Sequence, residues 1–446
     1  MPHTVIIGAG ISGLTCAYQL MQLGDDVLLL EASNRAGGVI GTERLYGYLL
    51  ETGPNTLRGS TAELEDLLDS LRMNDRIVEA SAASNTRSIL RDNVLRSLPR
   101  NPLEIFSTSI ISAKAKLRAV REPFVAAMSQ EDETIDSFFT RRFGSEVAQY
   151  LADPFVSGVY AGDKDMLSIR HTFPSLWKHE HERGSVIKGM LRGRKKRTTS
   201  PSRSRRGIYS FKRGLAELPQ RLEKDLGARI ACGALVSSIT RMNDRYEITL
   251  TAGSQILADR VILATPAYAC APMLKGLATN VRDLLAQVRY APIATLHLGF
   301  ANSQFSKLPQ GFGFLVPSRE KKQFLGCIFS SSMFADRAPA GHTLLTVMIG
   351  GSTQPELARL DAEELSERVL PDLRRLLSIT GEPLFTHLHS WNRAIPQYEI
   401  GYQVIIEGIN EIEQAFPGLH LLGSYRGGVS VGDCIRNATE LAQTLV

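Results

Sequence analysis

HTVIIGAGISGLTCAYQL, residues His3 to Leu20, decides how the rest of the chain is read. Val5-Ile6-Ile7 is a short β-branched run of the kind that forms a buried parallel strand. Gly8, Gly10 and Gly13 follow in G-x-G-x-x-G spacing, a weak signal until its neighbours are considered. The first glycine permits a tight turn, the second lets backbone approach a pyrophosphate, and the third lets helix and strand pack closely. Leu14 to Leu23 places apolar residues at 14, 17, 20, 21 and 23, which predicts a helix ending at Gly24. Val27 to Leu30 predicts a second buried strand, with Glu31 where an acid takes ribose hydroxyls. Strand, turn, helix, strand and acid in register predict a dinucleotide cradle.

The bulk properties narrow the class. A chain of 446 residues has room for two or three domains and a sizeable core. Its apolar and charged fractions are those of an ordinary globular protein. The five cysteines, at 16, 232, 270, 327 and 434, are scattered and form no C-x-x-C pair. That argues against a disulfide framework or a zinc site and fits a reducing, cytoplasmic setting. No run approaches the ~18 apolar residues of a spanning helix, and no leader pattern precedes the first strand. HEHE, residues 179–182, lacks a partner cluster and is not read as a metal site; no metal is expected.

The formal net charge of +5 is unevenly spread. Residues 188–206 hold nine Lys and Arg and no acid, so the remaining chain carries −4. The run is rich in Ser, Thr, Gly and Pro and shows no apolar period, which predicts a mobile, solvated loop. Anionic lipid is the partner such a loop would favour. Nucleic acid is not expected, because no aromatic side chain is interleaved among the cations.

Which dinucleotide the cradle takes is indicated just beyond Glu31. EASNRAGG, residues 31–38, adds an Arg and a second glycine pair, for which nicotinamide enzymes have no need. The stretch resembles the segment of two-dinucleotide-binding flavoproteins that passes back across the FAD pyrophosphate. ADRVILATPA (258–267) is similar to the strand that returns to the FAD domain in those proteins. Near the C-terminus, a strand at 419–422 leads through Gly423 and the Gly427-Gly428 turn into a helix with apolar residues at 431, 435, 438, 441 and 445. Its N-terminus would face the flavin, where the helix dipole favours negative charge.

No nucleophile–base pair, H-E-x-x-H or informatively spaced carboxylate pair appears. No side chain is therefore assigned a catalytic role, and the chemistry is placed on the flavin. Five further segments carry a specific resemblance: ADPFVSGVYAGDKDMLSIR (152–170), GFGFLVPS (311–318), FSSSMFADRAP (329–339), MIGGS (348–352) and WNRAIPQYEIGY (391–402). With the N-terminal motifs they resemble flavin-dependent, oxygen-using protoporphyrinogen oxidases of the bacterial and plant branch, along nearly the whole chain. The Ser-Gly-Gly-Cys-Tyr segment that binds flavin covalently in monoamine oxidases is absent, so FAD is expected to be non-covalent.

The resemblance implies an α/β fold: a Rossmann-like FAD domain (1–75, 207–268 and 403–446), a sheet-rich substrate domain (76–100 and 269–402) and a helical, membrane-associating insertion (101–206). Within the insertion, Ile135, Phe138, Phe139, Phe143 and Val147 fall at helical spacing and read as core. The resemblance places substrate at Arg87, which would pair with a propionate, at Asn55, on a loop between flavin and substrate, and at Leu315, Ile328 and Met348, which would sandwich the rings. It places FAD at Gly8, Ala9, Gly10, Ile11, Ser12, Gly13, Glu31, Ala32, Arg35, Gly37, Gly38, Gly53, Pro54, Asn55, Thr56, Val236, Trp391, Gly423, Val429, Ser430 and Val431. Two positions depart from the family pattern. Tyr402 stands where a His is usual, and Ser430 stands where the flavin loop usually has Gly.

The implied reaction removes six electrons from protoporphyrinogen IX in three two-electron rounds. Each round takes hydride from a bridge carbon and a proton from a pyrrole, and dioxygen leaves as hydrogen peroxide. Catalysis would rest on positioning. The resemblance also implies peripheral attachment to the inner membrane and leaves room for a homodimer and for product hand-off to a ferrochelatase. Three other readings remain open: coproporphyrinogen III as substrate, an amine oxidase or carotenoid desaturase sharing only the FAD domain, and an inactive porphyrin-binding flavoprotein.

Overall fold

The computed structural model describes residues 3–59, 61–99, 104, 107–126, 132–197, 207–277 and 279–445. The opening stretch folds as its pattern predicts. Strand Thr4–Ile7 is buried along its length and runs into helix Ile11–Gln22, which returns to strand Val27–Glu31. Gly24, at φ +91°, turns the chain just past that helix. The two strands pair in parallel within a five-stranded sheet, completed by Ile230–Cys232, Arg260–Leu263 and Leu419–Leu421. One sheet thus gathers chain from near both ends and from the middle. Helix Ile11–Gln22 and the C-terminal helix Val431–Thr444 pack on one face around Leu14, Ala17, Ile435 and Ala438.

A second, seven-stranded sheet carries Phe385–Pro396, Tyr290–Ala301, His342–Gly350, Gly326–Ile328, Gly313–Leu315, Arg87–Arg91 and Val94–Ser97, in that spatial order. Its two faces differ because side chains alternate along a strand. Phe314, Cys327, Leu345, Val347 and Ile349 turn one face onto helix Ala362–Leu377, where they meet Leu365, Val369 and Leu373 in an apolar core. The register puts Leu315, Gly326 and Met348 in one row on the opposite face. Ile328 and Thr346 form the next row.

The helical region behaves in part as its pattern predicts. Helix Ile135–Phe143 buries Ile135 and Phe138, Val147 is buried beyond it, and Phe139 and Phe143 are partly buried. The basic run departs from expectation. The stretch expected to be a mobile loop from residue 188 begins inside helix Val186–Arg197, and residues 198–206 lie outside the described residues. The helix starts there because its first amides have a dedicated acceptor: the buried Glu122 carboxylate accepts from Val186 N at 2.9 Å, Ile187 N at 3.2 Å and the Ser185 hydroxyl at 2.6 Å. The fully buried Arg142 stands 3.2 Å from Glu122 and 3.3 Å from Glu180, so these charges are paired. Leu, Met, Lys and Arg then sustain the helix, since straight-chain residues lose little rotamer freedom in one. HEHE lies at the end of helix Pro174–Arg183, and no metal-holding cluster occurs among the described residues. Among them, too, no helix is long and apolar enough to cross a membrane.

Candidate active site

The glycine turn is built as a phosphate cradle. Gly8 has φ +105°, and a Cβ there would stand 2.8 Å from the Ala264 carbonyl oxygen. A Cβ on Gly13 would come within 1.9 Å of the Gly8 carbonyl oxygen. A Cβ on Gly10 would meet nothing within 4 Å, so that glycine borders open space. Helix Ile11–Gln22 starts at Gly10 with no side-chain cap and no acid in its first turn. Its leading amides are therefore available to an anion. The second glycine pair folds back onto this turn: Gly37 N donates to the Ala9 carbonyl at 2.8 Å, and a Cβ on Gly38 would lie 3.1 Å from Gly10 Cα. Arg35 braces that return by donating to the Gly38 carbonyl at 2.8 Å.

Glu31 holds the edge of the cradle. Its carboxylate accepts from Ala9 N at 2.7 Å and from Ser33 N at 2.8 Å. Val236 is buried nearby, just past the segment in which Ala234 N donates to the Glu31 carbonyl at 2.8 Å. Both departures from the family pattern have structural reasons. Ser430 caps helix Val431–Thr444, accepting from Asp433 N at 3.1 Å and donating to the Asp433 carboxylate at 2.6 Å. Tyr402 is a core residue whose hydroxyl donates to the Tyr425 carbonyl at 2.8 Å. The first turn of the C-terminal helix also reaches the cradle, where the Cys434 thiol meets the Ser12 side chain.

The loop after strand Tyr48–Glu51 crosses from the cradle to the seven-stranded sheet. A Cβ on Gly53 would lie 2.0 Å from the Val39 carbonyl oxygen, so no larger residue fits there. Trp391, at the far edge of the sheet, donates its indole N–H to the Thr52 carbonyl at 2.6 Å. Asn55 Nδ2 donates to the Gly53 carbonyl at 3.3 Å. Asn55 lines a small recess with Glu51, Ser330, Met333, Arg337 and Thr346.

The expected substrate residues share the other face of that sheet. Arg87 pairs with Gly313, so it begins the strand beside Leu315, Ile328 and Met348. Its guanidinium lies 4.7 Å from the centre of the Phe312 ring. Burial and the neighbouring Arg58 push Arg87 below the usual guanidinium range. Among the described residues no carboxylate lies within ion-pairing distance of Arg87. Ile328 and Met348 pack with Met333, Phe334 and Phe312. Leu315 stands apart from them across Gly326 and touches helix Asp153–Tyr160 at Gly158. That helix is pinned over the sheet by the Asp153 carboxylate, which accepts from Ser318 N at 2.6 Å and from its hydroxyl at 2.9 Å.

Sequence reasoning assigned no role to Gly158, Glu51 or Arg337. Gly158 lies in ADPFVSGVY and Arg337 in FADRAP, within two of the segments that carry the resemblance, and Glu51 closes an apolar strand just before Gly53. For Glu51 the available signal was a single acid ending an apolar run.

A Rossmann-type cradle with a second glycine turn, set beside a two-faced sheet, defines a flavin-binding oxidoreductase. A family model for flavin-containing amine oxidoreductases matches residues 11–446. Protoporphyrinogen oxidase 2, chloroplastic/mitochondrial, of Arabidopsis thaliana is 34% identical over 476 aligned positions, covering 100% of this chain and 94% of that protein. Coproporphyrinogen III oxidase of Bacillus subtilis is 29% identical, covering 97% and 95%. A crystal structure from Exiguobacterium sp. 255-15 superposes with TM-score 0.82 at 26% identity, covering 99% of this chain and 98% of that one. The chain belongs to the flavin-containing amine oxidoreductases, in their protoporphyrinogen oxidase branch. Its cofactor is FAD, which the open Gly10 face, the uncapped helix start and the returning glycine turn fit.

Proposed function

We propose that this protein oxidises protoporphyrinogen IX to protoporphyrin IX, with dioxygen as the final acceptor and hydrogen peroxide as co-product. One observation carries the reading. Arg87, a half-buried guanidinium with no acidic partner among the described residues, stands at the end of an apolar face formed by Leu315, Ile328 and Met348. A flat, greasy macrocycle bearing carboxylates at one edge matches that arrangement. Bound FAD supplies the two-electron acceptor. The chain itself binds, orients and dries. Arg87 holds a propionate through paired N–H donors, a contact of about 2 kcal/mol when partly desolvated. Leu315, Ile328 and Met348 exclude water from the rings, and Met348 grips without stacking. The Thr52–Thr56 loop sets the distance between cradle and ring face. The three-part domain division and the cofactor contacts expected from sequence belong to the same reading.

Peripheral attachment to an anionic leaflet is part of this proposal. Phe124 is 89% exposed, and Leu117, Val120, Met190 and Leu191 are exposed as well. Lys188 Nζ donates to the Pro123 carbonyl at 3.2 Å, which brings the start of the basic helix beside Phe124. Exposed apolar side chains beside the start of a basic helix suit a headgroup layer.

The test is a porphyrin-fluorescence assay in air with protoporphyrinogen IX and coproporphyrinogen III in parallel against no-enzyme blanks. A clear preference for protoporphyrinogen supports the reading. A preference for coproporphyrinogen replaces the substrate with the tetracarboxylate, and no rate above blank on either rejects the oxidase.

A further inference from the structure

Glu51 and Arg337 form an ion pair buried behind the sheet face, each only 4% exposed, with Arg337 Nη2 3.3 Å from Glu51 Oε1. Glu51 also accepts from the Thr42 hydroxyl at 2.6 Å and from Leu215 N at 3.0 Å. Arg337 donates to the Ser210 hydroxyl at 2.5 Å and lies 5.1 Å from the centre of the Phe334 ring. The pair joins two parts of the site. Glu51 immediately precedes the Thr52–Thr56 loop. Arg337 follows Met333 and Phe334, which pack against Ile328 and Met348. Both charges line the recess that Asn55 and Thr346 share.

Stability alone gives little reason for such a pair. Removing two charges from water costs about what their attraction returns, and apolar residues of similar volume often serve as well. We propose that the ionised Glu51–Arg337 pair is a positioning element, resting on the porphyrinogen reading, that keeps the Thr52–Thr56 loop in register with the Ile328 and Met348 ring contacts. Its loss would slow the hydrogen-transfer step and leave substrate affinity nearly unchanged.

The pair is also sensitive to pH. Burial pushes Glu51 up to about 7, against the opposing pull of Arg337, the Thr42 hydroxyl and the Leu215 amide. Burial lowers Arg337, opposed most by Glu51 itself; Arg44 acts in the same sense as burial, and Asp336 and Glu217 oppose it less. His297, beside the Glu51 backbone, is pushed down to about 3 and stays neutral throughout. Protonation of Glu51 is then the charge change at this contact near neutrality.

The experiment uses the FAD-loaded protein and the variants Glu51→Gln, Glu51→Asp, Arg337→Lys and the double variant Glu51→Leu/Arg337→Met. Anaerobic flavin bleaching by protoporphyrinogen is followed in single turnovers from about pH 5.5 to 8.5. The parent rate is expected to rise through a limb near pH 7. Glu51→Gln should lack the limb and run about 10-fold or more slower at high pH, with KM within about twofold. Glu51→Asp and Arg337→Lys should restore part of the rate. The double variant should keep or raise Tm yet remain slow. A parental rate and limb in Glu51→Gln, or a double variant as fast as the parent, would overturn the proposal. If the parent itself bleaches with no porphyrinogen, the functional reading has failed. The pair is then judged from the visible circular dichroism of bound FAD, which should change across pH 7 in the parent and not in Glu51→Gln; no change in either overturns it.

Discussion

Gly158 lies directly against Leu315: a Cβ at Gly158 would stand 2.4 Å from Leu315 Cδ2. The obstructing atom is the end of a flexible side chain, so it can move at modest cost. Alanine also gains about 1 kcal/mol over glycine inside a helix, which offsets much of the crowding. Gly158→Ala is therefore expected to fold with near-parental Tm and to displace Leu315 from the ring face. KM for protoporphyrinogen should rise several-fold, about 1 kcal/mol of lost contact, with FAD content unchanged. A raised KM with a large drop in Tm would assign Gly158 to packing alone.

The glycines of the cradle should separate folding from cofactor binding. Gly13→Ala drives a Cβ into the Gly8 carbonyl and has no room to relax, so soluble expression should fall. Gly10→Ala meets nothing within 4 Å in the protein. Its apoprotein should melt like the parent apoprotein, while FAD binds about 10-fold more weakly or worse. Flavin fluorescence quenching and thermal melts with and without FAD check both outcomes. Equal FAD affinity in Gly10→Ala would place the pyrophosphate elsewhere.

Arg87→Ala is expected to lower kcat/KM on protoporphyrinogen by about 30-fold, the equivalent of ~2 kcal/mol. Lysine keeps the charge and loses the paired donors, so Arg87→Lys should fall between. Parental activity in Arg87→Ala would remove the carboxylate contact from the site.

Phe124→Glu changes an almost fully exposed side chain, so fold and turnover in detergent should hold. Co-sedimentation with vesicles rich in anionic lipid should drop sharply, and residual binding should weaken further with added salt. Undiminished sedimentation would exclude this face as the attachment surface.

The cradle was legible because its parts are local. Strand, glycine turn, helix and acid follow one another within Thr4 to Glu31, and each constrains the next. The ring-face strands were legible through the resemblance, carried by segments such as GFGFLVPS and MIGGS. Contacts between distant segments were not. Glu51 meets Arg337, and Trp391 meets Thr52, only because two sheets are brought together, and no local period records that. The basic run misled because its helix depends on Glu122, a residue far upstream whose carboxylate supplies the cap. Ser430 stood out in the sequence only as a departure from the family's Gly, whereas its S-x-x-D spacing to Asp433 is that of a helix cap.

The two faces of strand His342–Gly350 have a practical consequence. Leu345, Val347 and Ile349 lie in the core shared with the helix behind them, while on the other face Met348 packs beside Ile328 and Thr346 hydrogen-bonds Ser330 at 2.7 Å and His297 at 3.1 Å. Alternate positions on one short strand can therefore drift under separate selections. A library restricted to Leu315 and Met348, both half-buried, would sample macrocycle preference with the least disturbance of the hydrophobic core.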